Sequence, residues 1–312
     1  STLFPYTTLF RSTNLFLSQY PETVPFTKTL AGYLGVDIDQ ICLTNGSAEA
    51  IRHIIEAYSG PGGRIVSVDP SYAMFDVYAQ MYGREHVKVG YNDDLTINID
   101  SIIREITPET QIIVVLNPNN PVGDVYSCED MDRIVAAARE NEVTVLIDEA
   151  YHYFYSQTFI KYALENDNVF VTRTFSKLFS LAGCRLGYAA GRAEGIKMVQ
   201  KLCTPHNVNA FSLLFAGEII NEPGMIEGLI KKQLDGKKYM IESLREKGYT
   251  VSAGEGNFVF IKPKHDADDI VRAMKQERGI LIKSYAGIGS LGKCLRVTTG
   301  EEAIMRIFVD AL

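Results

Sequence analysis

Three short apolar runs, each ending on polar residues of a different chemical kind, constrain this chain more than anything else in it. Ile112-Ile113-Val114-Val115-Leu116 stops at Asn117-Pro118-Asn119-Asn120-Pro121-Val122-Gly123. Thr144-Val145-Leu146-Ile147 stops at Asp148-Glu149-Ala150-Tyr151. Val169-Phe170-Val171 stops at Thr172-Arg173-Thr174-Phe175-Ser176-Lys177. Runs this short, bounded by turn residues, read as buried strands. Stretches of helical spacing lie among them, such as 127–142, where Ile134, Val135 and Ala138 share one face. Strands alternating with helices argue an α/β chain with a mostly parallel sheet and helices on both faces. In such open sheets ligands bind beyond the carboxyl ends of the strands. Asn120, Asp148, Tyr151 and Lys177 all fall just past such ends.

Lys177 follows hydroxyl residues and is itself followed, eight residues later, by Arg185. A lysine amine condenses with an aldehyde, and Ser, Thr and Arg are natural phosphate ligands. An aldehyde that carries a phosphate is pyridoxal phosphate. A lysine on a serine-rich turn is by itself an ordinary surface feature, and it is the other strand ends that give it weight. A second anion seat is readable at Asn45-Gly46-Ser47-Ala48, which opens a helix carrying Ile51, Ile54, Ile55 and Tyr58. The free N–H groups and dipole of a helix start favour an anion, so Ser47 and Ala48 are expected to donate backbone N–H to a phosphate. Plain capping by Ser47 is compatible with the same pattern.

The order N-P-N-N-P-x-G, D-E-A-Y, T-F-S-K and R-x-G-Y (Asn117 to Gly123, Asp148 to Tyr151, Thr174 to Lys177, Arg185 to Tyr188) resembles fold-type I pyridoxal-phosphate enzymes. Within them it is most similar to the histidinol-phosphate aminotransferase family, from about Leu17 to the C-terminus. The resemblance implies that Lys177 forms the resting Schiff base and then moves a proton as acid and base. It implies that Asp148 faces the pyridine nitrogen and keeps it protonated, with Glu149 pointed away by strand alternation. Asn120 and Tyr151 would hydrogen-bond the phenolic oxygen, Tyr72 would stack on the ring, and Thr174, Ser176 and Arg185 would complete the phosphate cradle.

The resemblance also bears on substrates. Arg296, in Leu295-Arg296-Val297, matches the arginine that grips the amino-acid carboxylate. Tyr20 matches a tyrosine that projects into the neighbouring subunit's site toward the substrate phosphate, which implies a homodimer. Where the histidinol-phosphate enzymes place a second arginine for that phosphate, this chain has Lys283. Lysine keeps the charge but loses the guanidinium fork, which weakens the case for histidinol phosphate more than for an anionic substrate in general.

The expected function is therefore transamination between an amino donor, glutamate in the first instance, and a small phosphorylated keto acceptor. Two rivals stand beside it. A threonine-phosphate decarboxylase-like enzyme would share every cofactor residue, and a cofactor-binding domain of a transcriptional regulator would share the fold. With 46% hydrophobic and 22% charged residues the chain can bury a large core. Its net charge of −7 lacks the basic footprint of a nucleic-acid binder, and no apolar run is long enough for a membrane span. The five cysteines form no C-x-x-C pair, so no metal is expected and they read as reduced thiols of a cytoplasmic protein.

Residues 1–12 look like the in-frame translation of a sequencing-adapter oligonucleotide and are set aside from fold reasoning. On that reading 13–40 is a truncated N-terminal segment whose family counterpart includes an arm that closes over the substrate. Residues 41–204 are expected to form the large cofactor-binding domain, and 205–312 a smaller α+β domain. In the latter, long helices over 211–221 and 225–247 precede strands at 249–252, 258–262, 280–282 and 295–297, with helices at 267–276 and 301–312.

Overall fold

The computed structural model describes residue 16, residues 18–287 and residues 292–312. The adapter-like stretch 1–12 lies outside them. The chain runs α1 (Val24–Leu34), β1 (Ile41–Thr44), α2 (Ser47–Tyr58), β2 (Arg64–Asp69), α3 (Met74–Met81), β3 (Glu85–Gly90), α4 (Ile99–Arg104), β4 (Thr110–Leu116), α5 (Cys128–Glu140), β5 (Thr144–Asp148), α6 (Ile160–Glu165), β6 (Val169–Thr174), β7 (Gly187–Ala190) and α7 (Ala193–Gln200). It continues with α8 (Ala210–Asn221), α9 (Met225–Glu246), β8 (Thr250–Ser252), β9 (Phe258–Lys262), α10 (Ala267–Arg278), β10 (Lys283–Tyr285), β11 (Cys294–Thr298) and α11 (Glu302–Ala311).

Strands β1 to β7 form one sheet in the order β1-β7-β6-β5-β4-β2-β3. Pairings among β3, β2, β4, β5 and β6 are parallel, whereas β7 runs antiparallel to both β6 and β1. β1 therefore points the same way as β6. The apolar runs divide by alternation, because successive side chains leave opposite faces of a strand. Ile112, Val114, Leu116, Leu146 and Phe170 join the core under α2, with Ile51, Ile54 and Ile55. Ile113, Val115, Val145, Ile147, Val169 and Val171 join the opposite core, with Met131, Ile134 and Ala138 of α5. A strand buried on both faces cannot alternate polar with apolar, which is why these runs are apolar throughout.

The second sheet, β10-β11-β9-β8, is wholly antiparallel. It carries its own core of Met240, Leu244, Val259, Ile261, Leu295 and Phe308, closed by α9, α10 and α11.

Several local readings need correction. Ile280, Leu281 and Ile282 are not a strand. α10 continues to Arg278 and stops on Gly279 in the left-handed region, φ 66°, whose N–H and that of Ile280 both return to Met274 O. This C-terminal cap uses Ile280 and Ile282 as apolar packing on the third core, and the strand begins only at Lys283. The first helix, whose pattern reads from the sequence only as Lys28 to Gly35, starts at Val24 with Pro25 inside its first turn, a position proline tolerates because that N–H has no helical partner. The six-residue helices α4 and α6 were not anticipated, being too short to show a period. At α2 the capping residue is Gly46, with Ser47 already inside the helix.

Candidate active site

The carboxyl ends of β1, β4, β5 and β6 lie along one edge of the large sheet. β7 runs the other way, so its amino end joins the same edge. Thr44 of β1 and Thr174 of β6 both register opposite Gly187. Arg185, just before β7, is thereby set beside the start of α2 and the end of β6.

A cavity of about 200 Å³ opens at this edge, and its walls include Ser47, Ala48, Tyr72, Asn120, Asp148, Tyr151, Thr174, Ser176, Lys177 and Arg185. The ten residues assigned to the cofactor from sequence thus surround one space. A second cavity of about 380 Å³ shares Asn120, Tyr151, Ser176 and Lys177 with the first. It adds Arg296, Asn257, Thr298 and Thr299 from the smaller sheet and its loops, together with Gln233 of α9.

The anion end of the first cavity is built from glycines as much as from polar groups. Gly46 sits at φ 79°, a conformation that side chains rarely adopt, and a Cβ there would displace the Arg185 guanidinium, whose Nη2 would stand 2.5 Å away. A Cβ on Gly187 would stand 2.4 Å from Ser47 N and 2.8 Å from Arg173 O. The guanidinium and the helix start are in this way brought onto one point. Thr174 Oγ1 donates to Ser176 Oγ at 3.0 Å and accepts from Ser176 N at 3.1 Å, and Arg185 Nη1 donates to Ser176 Oγ at 3.4 Å. The first N–H groups of a helix have no intrahelical acceptor. Helix start, two hydroxyls and a guanidinium are a donor set that fits a phosphate.

At the other end Asp148 is buried at the last position of β5. Its Oδ1 accepts from Thr172 Oγ1 at 3.2 Å and from Ala150 N at 3.1 Å. Burial raises its pKa to about 7, against the opposing pull of those two bonds and of the Lys177 charge. A carboxyl strained upward in this way is stabilised as the anion by a cation placed against it, which is what a protonated pyridine nitrogen is. Anion seat, buried carboxyl and lysine therefore fit pyridoxal phosphate. Lys177 is exposed, with Nζ 5.1 Å from the centre of the Tyr151 ring. Burial pushes the Tyr72 phenol up to about 12, so it presents a neutral ring.

Residues outside the sequence reading hold these groups in place. Asn119 is fully buried, accepts from Ser71 Oγ at 2.7 Å and donates to Pro70 O at 2.9 Å, fastening the turn that carries Tyr72 to the loop that carries Asn120. Glu149 faces away from the cavity, as alternation expects, and meets Arg173: Arg173 Nη2 stands 2.8 Å from Glu149 Oε2. Thr158 Oγ1 and Phe159 N also donate to that carboxylate. Arg173 stands near the end of β6, four residues before Lys177. Nothing in the local pattern of Glu149 or Arg173 marks their pairing, because the partners are 24 residues apart.

The substrate side is less complete. Arg296 Nη2 donates to Asn120 Oδ1 at 2.9 Å, and its guanidinium lies 4.4 Å from the centre of the Phe258 ring. Its Nε is buried without a partner, which leaves donor capacity beside the second cavity. Lys283 pairs with Arg296 in register on edge strand β10. Its side chain is exposed over the Tyr285 ring, at 5.1 Å, and outside the walls of both cavities. Tyr20 is 76% exposed and stacked on His206 at 4.2 Å, outside the walls of both these cavities and on the wall of another, of about 400 Å³, that it shares with Phe26 and Leu213.

Known proteins resemble this chain in sequence and in fold. The chain is 30% identical over 294 residues to a histidinol-phosphate aminotransferase of Caldanaerobacter subterraneus subsp. tengcongensis, covering 94% of this chain and 82% of that one. Its fold matches the crystal structure of histidinol-phosphate aminotransferase from Sinorhizobium meliloti in complex with pyridoxal-5'-phosphate, with a TM-score of 0.86 and 22% identity over 98% of this chain and 85% of that one. It also matches L-threonine-O-3-phosphate decarboxylase from Porphyromonas gingivalis, with a TM-score of 0.80 and 24% identity over 98% and 92% of the two chains. The model of the class I and II aminotransferases matches residues 10–312, and the chain belongs to that family.

Proposed function

We propose that this protein is a pyridoxal-phosphate-dependent aminotransferase that moves an amino group from glutamate to a small phosphorylated keto substrate, as a histidinol-phosphate aminotransferase does. The observation that carries the reading is the pair of adjoining cavities, one walled by the ten cofactor residues and the other containing Arg296. When bound, the cofactor supplies an aldehyde that takes up amines and a ring that delocalises the electron pair left on the substrate carbon.

The chain's own groups supply the rest. Lys177 Nζ would hold the cofactor through its aldehyde and, once freed by the incoming amine, would carry the proton that leaves the substrate α-carbon to the former aldehyde carbon, and back again in the second half-reaction. Asp148, at the far end of the cavity, holds a proton on the ring nitrogen by its charge. Tyr151 and Asn120 orient the phenolic side, and Tyr72 covers one face of the ring. Ser47, Ala48, Thr174, Ser176 and Arg185 anchor the phosphate, fixing the reacting atoms relative to Lys177. Arg296 binds the substrate carboxylate through its paired donors, and Asn120, which accepts from it, couples substrate position to ring orientation.

The reading expects a homodimer, in which Tyr20 of each subunit reaches the other's cavity and Lys283 adds positive charge for an anionic substrate. The exposure of Tyr20 supports that placement. Among the described residues no helix is long and apolar enough to cross a membrane. A cytoplasmic location is part of the proposal, and the five free cysteines accord with it.

The test is a half-reaction. Protein loaded with pyridoxal phosphate and given glutamate alone should lose its visible absorption band and release stoichiometric 2-oxoglutarate, and Lys177→Ala should do neither. Loss of carbon dioxide from O-phosphothreonine, with glutamate inert, would instead establish the decarboxylase.

A further inference from the structure

Behind the phosphate-side helix lies a cluster that the transamination chemistry does not use. Glu49 and His53 stand one turn apart on α2, and Cys203 follows the end of α7. One ligand atom from each lies within 4.8 Å of the other two. His53 is 2% exposed, and neither of its ring nitrogens has a hydrogen-bond partner. An imidazole withdrawn from water with both nitrogens unsatisfied is costly, and each such group calls for an explanation.

We propose that Glu49, His53 and Cys203 form a zinc site, with Cys42 available as a fourth ligand. The donor types are those zinc takes: thiolate, imidazole and carboxylate. Zinc bonds of about 2.0–2.3 Å in a tetrahedron put ligand atoms roughly 3.3–3.8 Å apart. Closure from the present separations takes about 1 Å of side-chain movement, within reach of the flexible glutamate and the half-buried cysteine. Cys42 Sγ is 3.6 Å from Cys203 Sγ, the spacing of two sulfurs sharing one metal and well beyond the roughly 2.05 Å of a disulfide.

The surroundings are those of a metal site as well. His53 Nε2 faces Glu49 Oε1 at 3.8 Å, while Nδ1 faces Glu56 Oε2 at 3.9 Å. A ligand histidine usually directs its other nitrogen at a carboxylate, which fixes the tautomer. Glu56 is itself held by Tyr82 OH at 2.8 Å. Glu49 Oε2 accepts from Asn207 Nδ2 at 3.0 Å and from Asn45 N at 2.7 Å, which leaves Oε1, the oxygen nearer His53, for the metal. The expectation of no metal from sequence rested on the absence of a C-x-x-C pair. These ligands come instead from one helix and from a residue some 150 positions later, where spacing carries no signal.

The experiment uses the full chain loaded with pyridoxal phosphate and kept reduced. After treatment with a chelator and its removal, zinc is added and bound metal is measured against protein. Cobalt is then added in its place, and the thiolate-to-cobalt absorption is followed. About one equivalent of zinc per chain is expected, with Cys203 protected from a thiol reagent and a thiolate–cobalt band present. Cys203→Ser should remove the band, or cut it to about half where Cys42 also ligates, and Asn207→Ala, outside the ligand shell, should weaken zinc about 10- to 100-fold. His53→Ala risks the fold, so the cobalt spectrum of Cys203→Ser carries the test. Substoichiometric zinc in well-folded wild-type protein overturns the proposal. So does a cobalt spectrum unchanged in Cys203→Ser, or oxidation of Cys42 with Cys203 to a disulfide in protein whose reduced form takes up no metal.

Discussion

Replacing Gly187 by alanine should cost this protein its cofactor before it costs the fold. The new methyl would lie 2.4 Å from Ser47 N and 2.5 Å from the carbonyl carbon of Gly46 on one side, and 2.8 Å from Arg173 O on the other. All three are backbone atoms, so no side chain can swing aside. Ordinary contact distance requires about 1 Å of separation between β7 and the start of α2, which moves the N–H groups of Ser47 and Ala48 away from Arg185 and Ser176. Overpacking of this kind costs about 1–3 kcal/mol of stability. Each charge-assisted hydrogen bond to the phosphate is worth about 1.5–3 kcal/mol, so loss of one weakens pyridoxal phosphate roughly 10- to 100-fold. Titration of cofactor-free protein with pyridoxal phosphate, followed by absorbance, gives the affinity, and urea unfolding without cofactor gives the stability separately. Gly183→Ala is the control, since a Cβ there meets nothing within 4 Å. Wild-type affinity in a folded Gly187→Ala protein would refute the role given to this close approach.

Further perturbations address the carboxylates and Arg296. Asp148 has a pKa of about 7 in the folded, cofactor-free protein against an ordinary 3.8, so the folded state binds the extra proton between those values. Stability of the cofactor-free protein should therefore fall as pH rises from about 4 to about 7, by up to about 4 kcal/mol. Asp148→Asn should remove that slope in unfolding curves taken across the range, and an unchanged slope would assign it elsewhere. Glu149→Ala leaves Arg173 buried without its counter-charge and should cost about 3–5 kcal/mol in urea unfolding. A loss below about 1 kcal/mol would show that the pair is replaceable by water. Arg296→Lys keeps the charge but not the paired donors, so KM for glutamate should rise about 10-fold or more while cofactor binding is unchanged. Equal effects on both would place Arg296 in the cofactor site instead.

The parts of this molecule legible in its sequence are those where the chemistry is local. β4, β5 and β6 announce themselves as apolar runs, and the residues just after them face one edge because parallel strands end together. Asn120, Asp148, Tyr151 and Lys177 needed no more than that. Arg185 depended on a further fact, the antiparallel course of β7, which no periodicity reveals. Contacts between distant segments left no trace: Arg296 with Asn120, 176 residues apart, and Arg173 with Glu149. Near Ile280 the sequence misled, because an apolar triplet after a helix serves a cap as well as a strand. Gly187 reads as an ordinary strand residue until the helix packed against it is seen.

The two cavities belong to different parts of the architecture. Every cofactor wall residue lies between Ser47 and Arg185 on the large sheet, whereas Arg296, Asn257 and Thr299 arrive with the small one. Among the described residues, Asn120 is the one hydrogen-bond partner that Arg296 has on the larger side. Outside the four residues the cavities share, heritable change can therefore act on the two halves separately. Substitutions in the β9 and β11 loops can change the walls of the second cavity while leaving in place the residues between Ser47 and Arg185 that line the first, so a new substrate preference can arise without passing through a form that has lost its chemistry.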